Sequence, residues 1–226
     1  MLIFRQLFDL QSSTYTYLLG DSVSAKAILI DCVFEQSKRD IALLKELELT
    51  LIATLDTHVH ADHITGAWLM REAWSSDIAV AKTSHASNAD RYLVEGDRMA
   101  FGQHYLEVLA TPGHTDGCLT FVMDDLTMAF TGDAILIRGC GRTDFQQGSS
   151  KNLFNSIRNK IFNLPEQCLL YPGHDYRGLT VTSVREEKLF NPRLGGNISE
   201  NDYTVYMHNL DLPHPKKINQ AVPANL

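Results

Sequence analysis

The sequence predicts an α/β protein: two sheets packed face to face with helices outside, a four-layer αββα sandwich. Three observations point there. Leu49–Leu55 is an almost unbroken apolar run of strand length, as expected of a strand buried on both faces. Strand-like segments come in meander-like groups. Helical patterns separate those groups.

In chain order, Thr14–Leu19 and Ala27–Asp31 read as two strands around a turn at Gly20-Asp21. Ser37 opens a helix with Ile41, Leu43, Leu44 and Leu47 on its apolar positions, and Asp40 completes a weak capping box. The strand Leu49–Leu55 follows and ends in Asp56-Thr-His-Val-His-Ala-Asp-His63, after which Ile64, Ala67 and Trp68 suggest a helix. A short strand at Ile78–Ala81 precedes a polar helix over Ser84–Leu93. Strands are expected at Tyr105–Ala110, Leu119–Met123 and Met128–Thr131, the last two joined by an Asp124-Asp125 turn. A Gly-rich loop covers Gly139–Gly148. A helix over Lys151–Phe162 stops at Leu164-Pro165. Cys168–Tyr171 reads as a short buried strand. Residues 190–226, rich in Asn and Pro, read as a surface tail with one helix at Glu200–Asn209. No repeat or linker interrupts the 226 residues, so one domain over 1–226 is expected.

Composition narrows the function classes. Lys plus Arg total 20 and Asp plus Glu 27, a formal charge of -7, which makes general nucleic-acid or anionic-membrane binding a poor expectation. No apolar run approaches the ~20 residues that span a bilayer. The N-terminal stretch breaks at Arg5 without a signal-peptide core and lacks transit-peptide composition. The four cysteines form no C-x-x-C pair and read as reduced thiols. The expected compartment is cytoplasmic, of bacterial type, with a mature mitochondrial matrix form left open.

Four segments end an expected strand with His or Asp: His58/His60/Asp62/His63, His114, Asp133 and His174. Strand ends on one edge are where α/β folds place ligands. In extended chain residues i and i+2 point the same way, so His58 and His60 are expected to face one metal together. Asp62 and His63 face a neighbouring position. Gly113, Gly132 and Gly173, each preceding a candidate, let the backbone turn sharply and approach an ion. Singly each residue has an ordinary reading: Asp62 as a helix N-cap, Asp133 as a turn residue. Seven nitrogen and oxygen ligands on four strand ends together point to metal. Ligand chemistry leaves one metal or a two-metal hydrolase site open.

The H-x-H-x-D-H motif with the later His, Asp and His resembles the metallo-β-lactamase superfamily. Thr57-His-Val-His-Ala-Asp-His-Ile-Thr-Gly66, Phe130-Thr-Gly-Asp-Ala134, Ile137-Arg-Gly-Cys-Gly-Arg-Thr-Asp-Phe-Gln-Gln-Gly148, Tyr171-Pro-Gly-His-Asp-Tyr176, Asn191-Pro-Arg-Leu194 and Ala221-Val-Pro-Ala-Asn225 are similar to the persulfide dioxygenases, the ethylmalonic encephalopathy protein family. Gly173 departs from members that carry Ala there. The resemblance implies the four-layer metallo-β-lactamase sandwich. It implies an iron(II)-dependent dioxygenase, one Fe(2+) per chain, that oxidises glutathione persulfide with O2 and water to sulfite and glutathione. It implies His58, His114 and Asp133 as the iron ligands, a 2-His-1-carboxylate set with open positions. His60, Asp62, His63 and His174 then surround those ligands or, in the alternative, hold a second metal.

Glutathione carries two carboxylates, so the pocket needs donors; Arg142, Arg138 and Arg193 are the candidates, with Tyr176 reaching substrate or an iron ligand. Arg142 has a second reading, pairing with Asp144. Cys140 reads as a buried thiol rather than a sulfur relay. Asp175 is read as structural and Thr115 as support for the His114 loop. The alternative function is a glyoxalase-II-type glutathione thioester hydrolase with two metals, against which the short stretch after His174 counts. The expected partners are small molecules, with a homodimer left open.

Overall fold

A computed structural model describes all residues, Met1–Leu226. The first sheet runs in chain order: β1 (Leu2–Asp9), β2 (Thr14–Asp21), β3 (Lys26–Ile30), β4 (Thr50–Leu55), β5 (Asp77–Ala81) and β6 (Arg91–Leu93). β1, β2 and β3 pair antiparallel, because tight turns between them can only reverse the chain. From β3 to β6 the pairing is parallel. There α1 (Ser37–Glu46) and α2 (Ala67–Trp74) make the β3–β4 and β4–β5 crossovers, and a 3-10 turn at Lys82–Ser84 with a short loop joins β5 to β6.

The second sheet holds β7 (Arg98–Phe101), β8 (His104–Ala110), β9 (Leu119–Met123), β10 (Met128–Gly132), β11 (Leu169–Pro172) and β12 (Thr182–Ser183), also in chain order. Its one parallel pair, β10 with β11, is bridged by α3 (Ser150–Asn159) and a 3-10 turn at Ile161–Asn163. The chain then forms α4 (Val184–Phe190), α5 (Glu200–His208) and α6 (Ile218–Asn225).

Between the sheets Tyr17, Leu19, Ile28, Ile30 and Leu55 meet Phe101, Leu106, Val108, Phe121 and Phe130. On the far side of the first sheet, Leu18, Leu29 and Leu51 pack under Leu44 of α1 and Met70 of α2. On the far side of the second, Val122, Ala129 and Leu170 pack under Leu153 and Ile157 of α3 and Tyr203 and Met207 of α5. The four layers are those expected, and with both faces covered β2 is buried throughout.

Several expectations are corrected. Ser84–Leu93 is not a helix: it holds a 3-10 turn at Lys82–Ser84 and then β6. Asp90 decides this, since its backbone N–H donates to the Ile78 carbonyl (2.8 Å) and its carboxylate accepts from the Ile78 N–H (2.9 Å), extending the sheet edge. The helix expected just after Asp62 starts only at Ala67. Ser37 does not cap α1; Gln36 is the N-cap residue, Ser37 Oγ donates to the Phe34 carbonyl (2.8 Å), and Asp40 pairs with Arg39 (2.8 Å). The tail contains α6, whose Ala221 is fully buried, so it is more than a surface strap of loop. β1, β7, β12 and α4 went unassigned in the sequence; α4 carries a readable start, Ser183 Oγ accepting from the Glu186 N–H (3.2 Å).

Phe121 is fully buried in the inter-sheet core. Phe121→Ala is expected to lower unfolding free energy by about 3–5 kcal/mol in urea denaturation. A loss below about 1 kcal/mol would show that the two sheets do not close on that side chain.

Candidate metal centre

Both sheets send strand ends to one place. β4 leads into Asp56–His63, the β8–β9 connection carries His114, β10 leads into Asp133, and β11 into His174. Two of the expected glycines are required by backbone geometry. Gly132 has φ +50°, and a Cβ there would stand 2.4 Å from Thr57 Oγ1. Gly113 has φ +144° and packs its Cα face on the Leu153 backbone, where a Cβ would meet N at 2.3 Å.

His58, His114 and Asp133 converge, with one ligand atom from each lying within 4.8 Å of the others. His114 Nε2 is 3.7 Å from Asp133 Oδ2, and the His58 and His114 rings are 4.9 Å apart, edge to face. The opposite atom of each side chain is tied down. The Arg142 carbonyl, which can only accept, lies 2.6 Å from His114 Nδ1, so Nδ1 donates and Nε2 is the atom left to face the group. Thr57 Oγ1 donates to Asp31 Oδ2 (2.9 Å) and so accepts from His58 Nδ1 (2.9 Å), leaving His58 Nε2 free. Asp133 Oδ1 accepts from His174 Nδ1 (2.7 Å), leaving Oδ2. Burial, with His60 and His114 nearby, holds the His58 imidazole well below its ordinary range, so it is neutral. Burial would raise the Asp133 carboxyl, but the His174 charge outweighs it and holds it well below the usual range. Two imidazoles, each with its other nitrogen engaged, and one carboxylate with an uncommitted oxygen fit a divalent metal.

The remaining candidates lie beside this group and are engaged differently. His174 stands between two carboxylates, with Nε2 3.0 Å from Asp62 Oδ2. Burial opposes its charge, but Asp133 and Asp62 outweigh that and raise it well above its ordinary value. Thr14 Oγ1 also donates to Asp62 Oδ2 (3.0 Å), and His63 Nδ1 lies 2.8 Å from the same oxygen. His60, Asp62 and His63 form a second group of neighbouring ligand atoms. The structure separates His58 from His60: their rings lie 4.2 Å apart, yet His60 Nε2 is directed to Asp31 Oδ1 (3.1 Å). Residues 58–60 are not strand, so the alternation expected of them does not hold. Burial pushes the His60 imidazole down, but the Asp31 carboxylate outweighs it and carries it to about 9. His60 Nδ1 and His63 Nε2 are buried without a partner.

The model of the metallo-β-lactamase superfamily matches residues 11–174. The chain is 52% identical over 224 residues to persulfide dioxygenase ETHE1, mitochondrial, of Mus musculus, covering 99% of this chain and 87% of that one. The crystal structure of ETHE1 from Myxococcus xanthus superposes with a TM-score of 0.95 at 50% identity, over 99% of this chain and 97% of that one. The chain belongs to the persulfide dioxygenase family of this superfamily. A hydroxyacylglutathione hydrolase of Cereibacter sphaeroides is 34% identical over 167 residues, 73% of this chain and 64% of that protein.

Around the family's constellation, the three expected arginines differ in what they touch. Arg142 grips Asp144 through Nε and Nη2, both at 2.7 Å, and donates to the Pro213 and Leu212 carbonyls (2.7 and 3.3 Å). Arg138 bonds Glu187, Glu186 and Thr182. Arg193 has no carboxylate partner; its Nη1 donates to the Cys140 carbonyl (3.2 Å) and its guanidinium lies over Tyr206. Tyr176 is 72% exposed and stacks flat on His174, ring centroids 6.0 Å apart. It borders a groove of about 510 Å³ with Gln6, Phe8, Leu10, Tyr15 and Thr180. Asp175 accepts from the Arg177 and Leu179 N–H groups, both at 2.7 Å, and Thr115 bonds Cys118 and Gly117 within the His114 turn.

Sequence reasoning missed Thr57, Asp31, Thr14 and the Arg142 carbonyl. Asp31 closes a strand as Asp133 does, a signal that could have found it. A carbonyl carries no signature in side-chain type. No helix of the structure is long and apolar enough to cross a membrane.

Thr57→Val removes the acceptor for His58 Nδ1 and the donor to Asp31. It is expected to weaken metal affinity about 10–100-fold, read by competition with a chelator; unchanged affinity would contradict the orientation given to His58. A second expectation concerns the thiols. Burial pushes Cys118 up to about 12 and Cys168 to about 11, and Cys32 and Cys140 are raised as well. All four are buried, so an Ellman titration should find none in the native protein at pH 8 and all of them in guanidinium. A fast-reacting native thiol would reopen a relay role for Cys140.

Proposed function

We propose that the chain is an iron(II)-dependent persulfide dioxygenase with one iron held by His58, His114 and Asp133. The balanced reaction takes glutathione persulfide, O2 and water to glutathione and sulfurous acid, which ionises to sulfite. One observation supports the proposal: two histidines and one aspartate converge with one ligand atom each within 4.8 Å of the others, each with its other polar atom tied down. Two histidines and a carboxylate with open positions suit non-haem Fe(II) and O2. Bound iron supplies coordination for the soft terminal sulfur and the electrons that activate O2.

The chain's own residues do the rest. Side chains of His114 and Asp133 are 13% and 12% exposed while His58 is 4% exposed, so the accessible face lies on the His114–Asp133 side. His174, charged and fixed, keeps Asp133 oriented and anionic. Tyr176, largely exposed, keeps its phenol proton at neutral pH and offers it to a substrate atom near His174. Arg193 is the expected arginine left without an acidic partner, and it reaches Cys140, next to Gly141, whose N–H donates to the Asp133 carbonyl (2.8 Å). Its guanidinium is therefore the clamp for a glutathione carboxylate. Arg142 and Arg138 anchor loops.

The unpartnered His60 Nδ1 and His63 Nε2 favour a second reading, a two-metal glutathione thioester hydrolase. Against it stands His174, whose two ring nitrogens both face carboxylates. With both nitrogens so engaged, His174 is not placed to ligate a second ion.

Anaerobically purified protein is expected to hold one iron per chain and to consume O2 with glutathione persulfide. Two metals per chain with full activity on zinc would overturn the dioxygenase reading in favour of the hydrolase. Arg193→Ala is expected to raise KM about 10–100-fold with iron content unchanged, the loss of one charge-assisted contact. An unmoved KM would place the carboxylate clamp elsewhere.

A further inference from the structure

Beyond α5 the chain does not leave the site. Leu212 and Pro213 accept from Arg142, and the His214 ring lies 4.9 Å from that of Phe145, so the tail crosses the Gly139–Gly148 loop. That loop holds His114 through the Arg142 carbonyl and reaches the Asp56–His63 segment through Gln146 Nε2, which donates to the Val59 carbonyl (2.8 Å). Lys217 pairs with Glu35 (3.1 Å) at the surface, and α6 then turns inward on its buried Ala221.

The last residue of α6, Asn225, meets the segment that follows His58. Its Nδ2 donates to the His60 carbonyl (3.0 Å) and the His63 carbonyl (2.9 Å), and its Oδ1 accepts from the Thr65 N–H (2.9 Å). The segment from His60 to Thr65 lies between β4 and α2 and has no regular ladder to satisfy these groups. Backbone polar groups left without partners favour other conformations. A carboxamide is the one short side chain that offers two donors and an acceptor here.

We propose that residues 209–226 are a strap that sets the metal centre, with Asn225 as its positioning residue. Asn225 closes the loop bearing His60 and His63, while Leu212 and Pro213 hold the loop whose carbonyl orients His114. The strap thus braces, from outside the sandwich, both the segment that follows His58 and the loop whose carbonyl orients His114. The inference rests on the metal reading of this site and not on the substrate.

The test compares Asn225→Ala and Asn225→Asp in the full chain, with Lys217→Ala as a control that breaks only the exposed ion pair of the same tail. Fe(II) affinity is read against a chromophoric chelator, and amide exchange is followed at 57–66 and 139–148. Both Asn225 variants are expected to lose about 10–100-fold in Fe(II) affinity, with Lys217→Ala unchanged. Exchange at 57–66 is expected to quicken in the Asn225 variants alone. Asn225→Asp keeps the size and the acceptor for Thr65 but offers no donor, so it carries the test if Asn225→Ala does not fold. Wild-type affinity in either folded Asn225 variant would overturn the proposal, even with faster exchange, since the role would then be structural only. An equal loss in Lys217→Ala would overturn it too. If the wild-type chain bound zinc rather than iron, the same comparison run with zinc would decide the strap, and only the iron reading would fall.

Discussion

Everything at this centre depends on His174 being held between two carboxylates. Its ring nitrogens lie 2.7 Å from Asp133 and 3.0 Å from Asp62, and the ring itself is buried. A charged group buried alone would lose several kcal/mol of solvation; paired on both sides and joined by Thr14, the three groups satisfy one another. The cluster draws on both sheets: Asp133 follows β10, His174 follows β11, Thr14 begins β2 and Asp62 follows β4. The Tyr15 N–H donating to the Gly173 carbonyl (2.8 Å) adds a backbone tie at the same seam. The interaction that neutralises the site therefore also joins the sheets where the ligands emerge.

Its chemical consequence is an ordering of protons. Charge sits on His174, and the adjoining carboxylates stay anionic. His58, pressed by burial and by its cationic neighbours, stays neutral. A metal ligand must be neutral imidazole or carboxylate. Among the seven candidate residues, His58, His114 and Asp133 each have one polar atom engaged and one left uncommitted, while both ring nitrogens of His174 face carboxylates.

The arginines show the same logic at the rim. Three guanidiniums within reach of one loop looked equivalent, yet Arg142 and Arg138 face acidic partners and Arg193 does not. An arginine already paired holds its loop, and an unpaired one is available to an anion. The C-terminal strap extends the argument outward, since its carbonyls occupy the remaining donors of Arg142.

The sequence by itself determined the layered architecture and the cast of the site. Continuous apolar strands require cover on both faces, and β4 and β9 are buried as that pattern demands. Glycines beside His114 and Asp133 announced close backbone approach, and their positive φ angles bear this out. Local signals failed where the partner was distant. Asp90 joins the sheet edge through Ile78, so a polar stretch becomes strand rather than helix. The i, i+2 rule failed for His58 and His60 because the chain is not extended there. Only the tertiary structure decided which nitrogen of each histidine is free, since that depends on Thr57, Asp31 and the Arg142 carbonyl, brought in from other segments. Hydrogen bonds between residues far apart in the chain leave no periodicity, and a backbone carbonyl leaves no residue type to read.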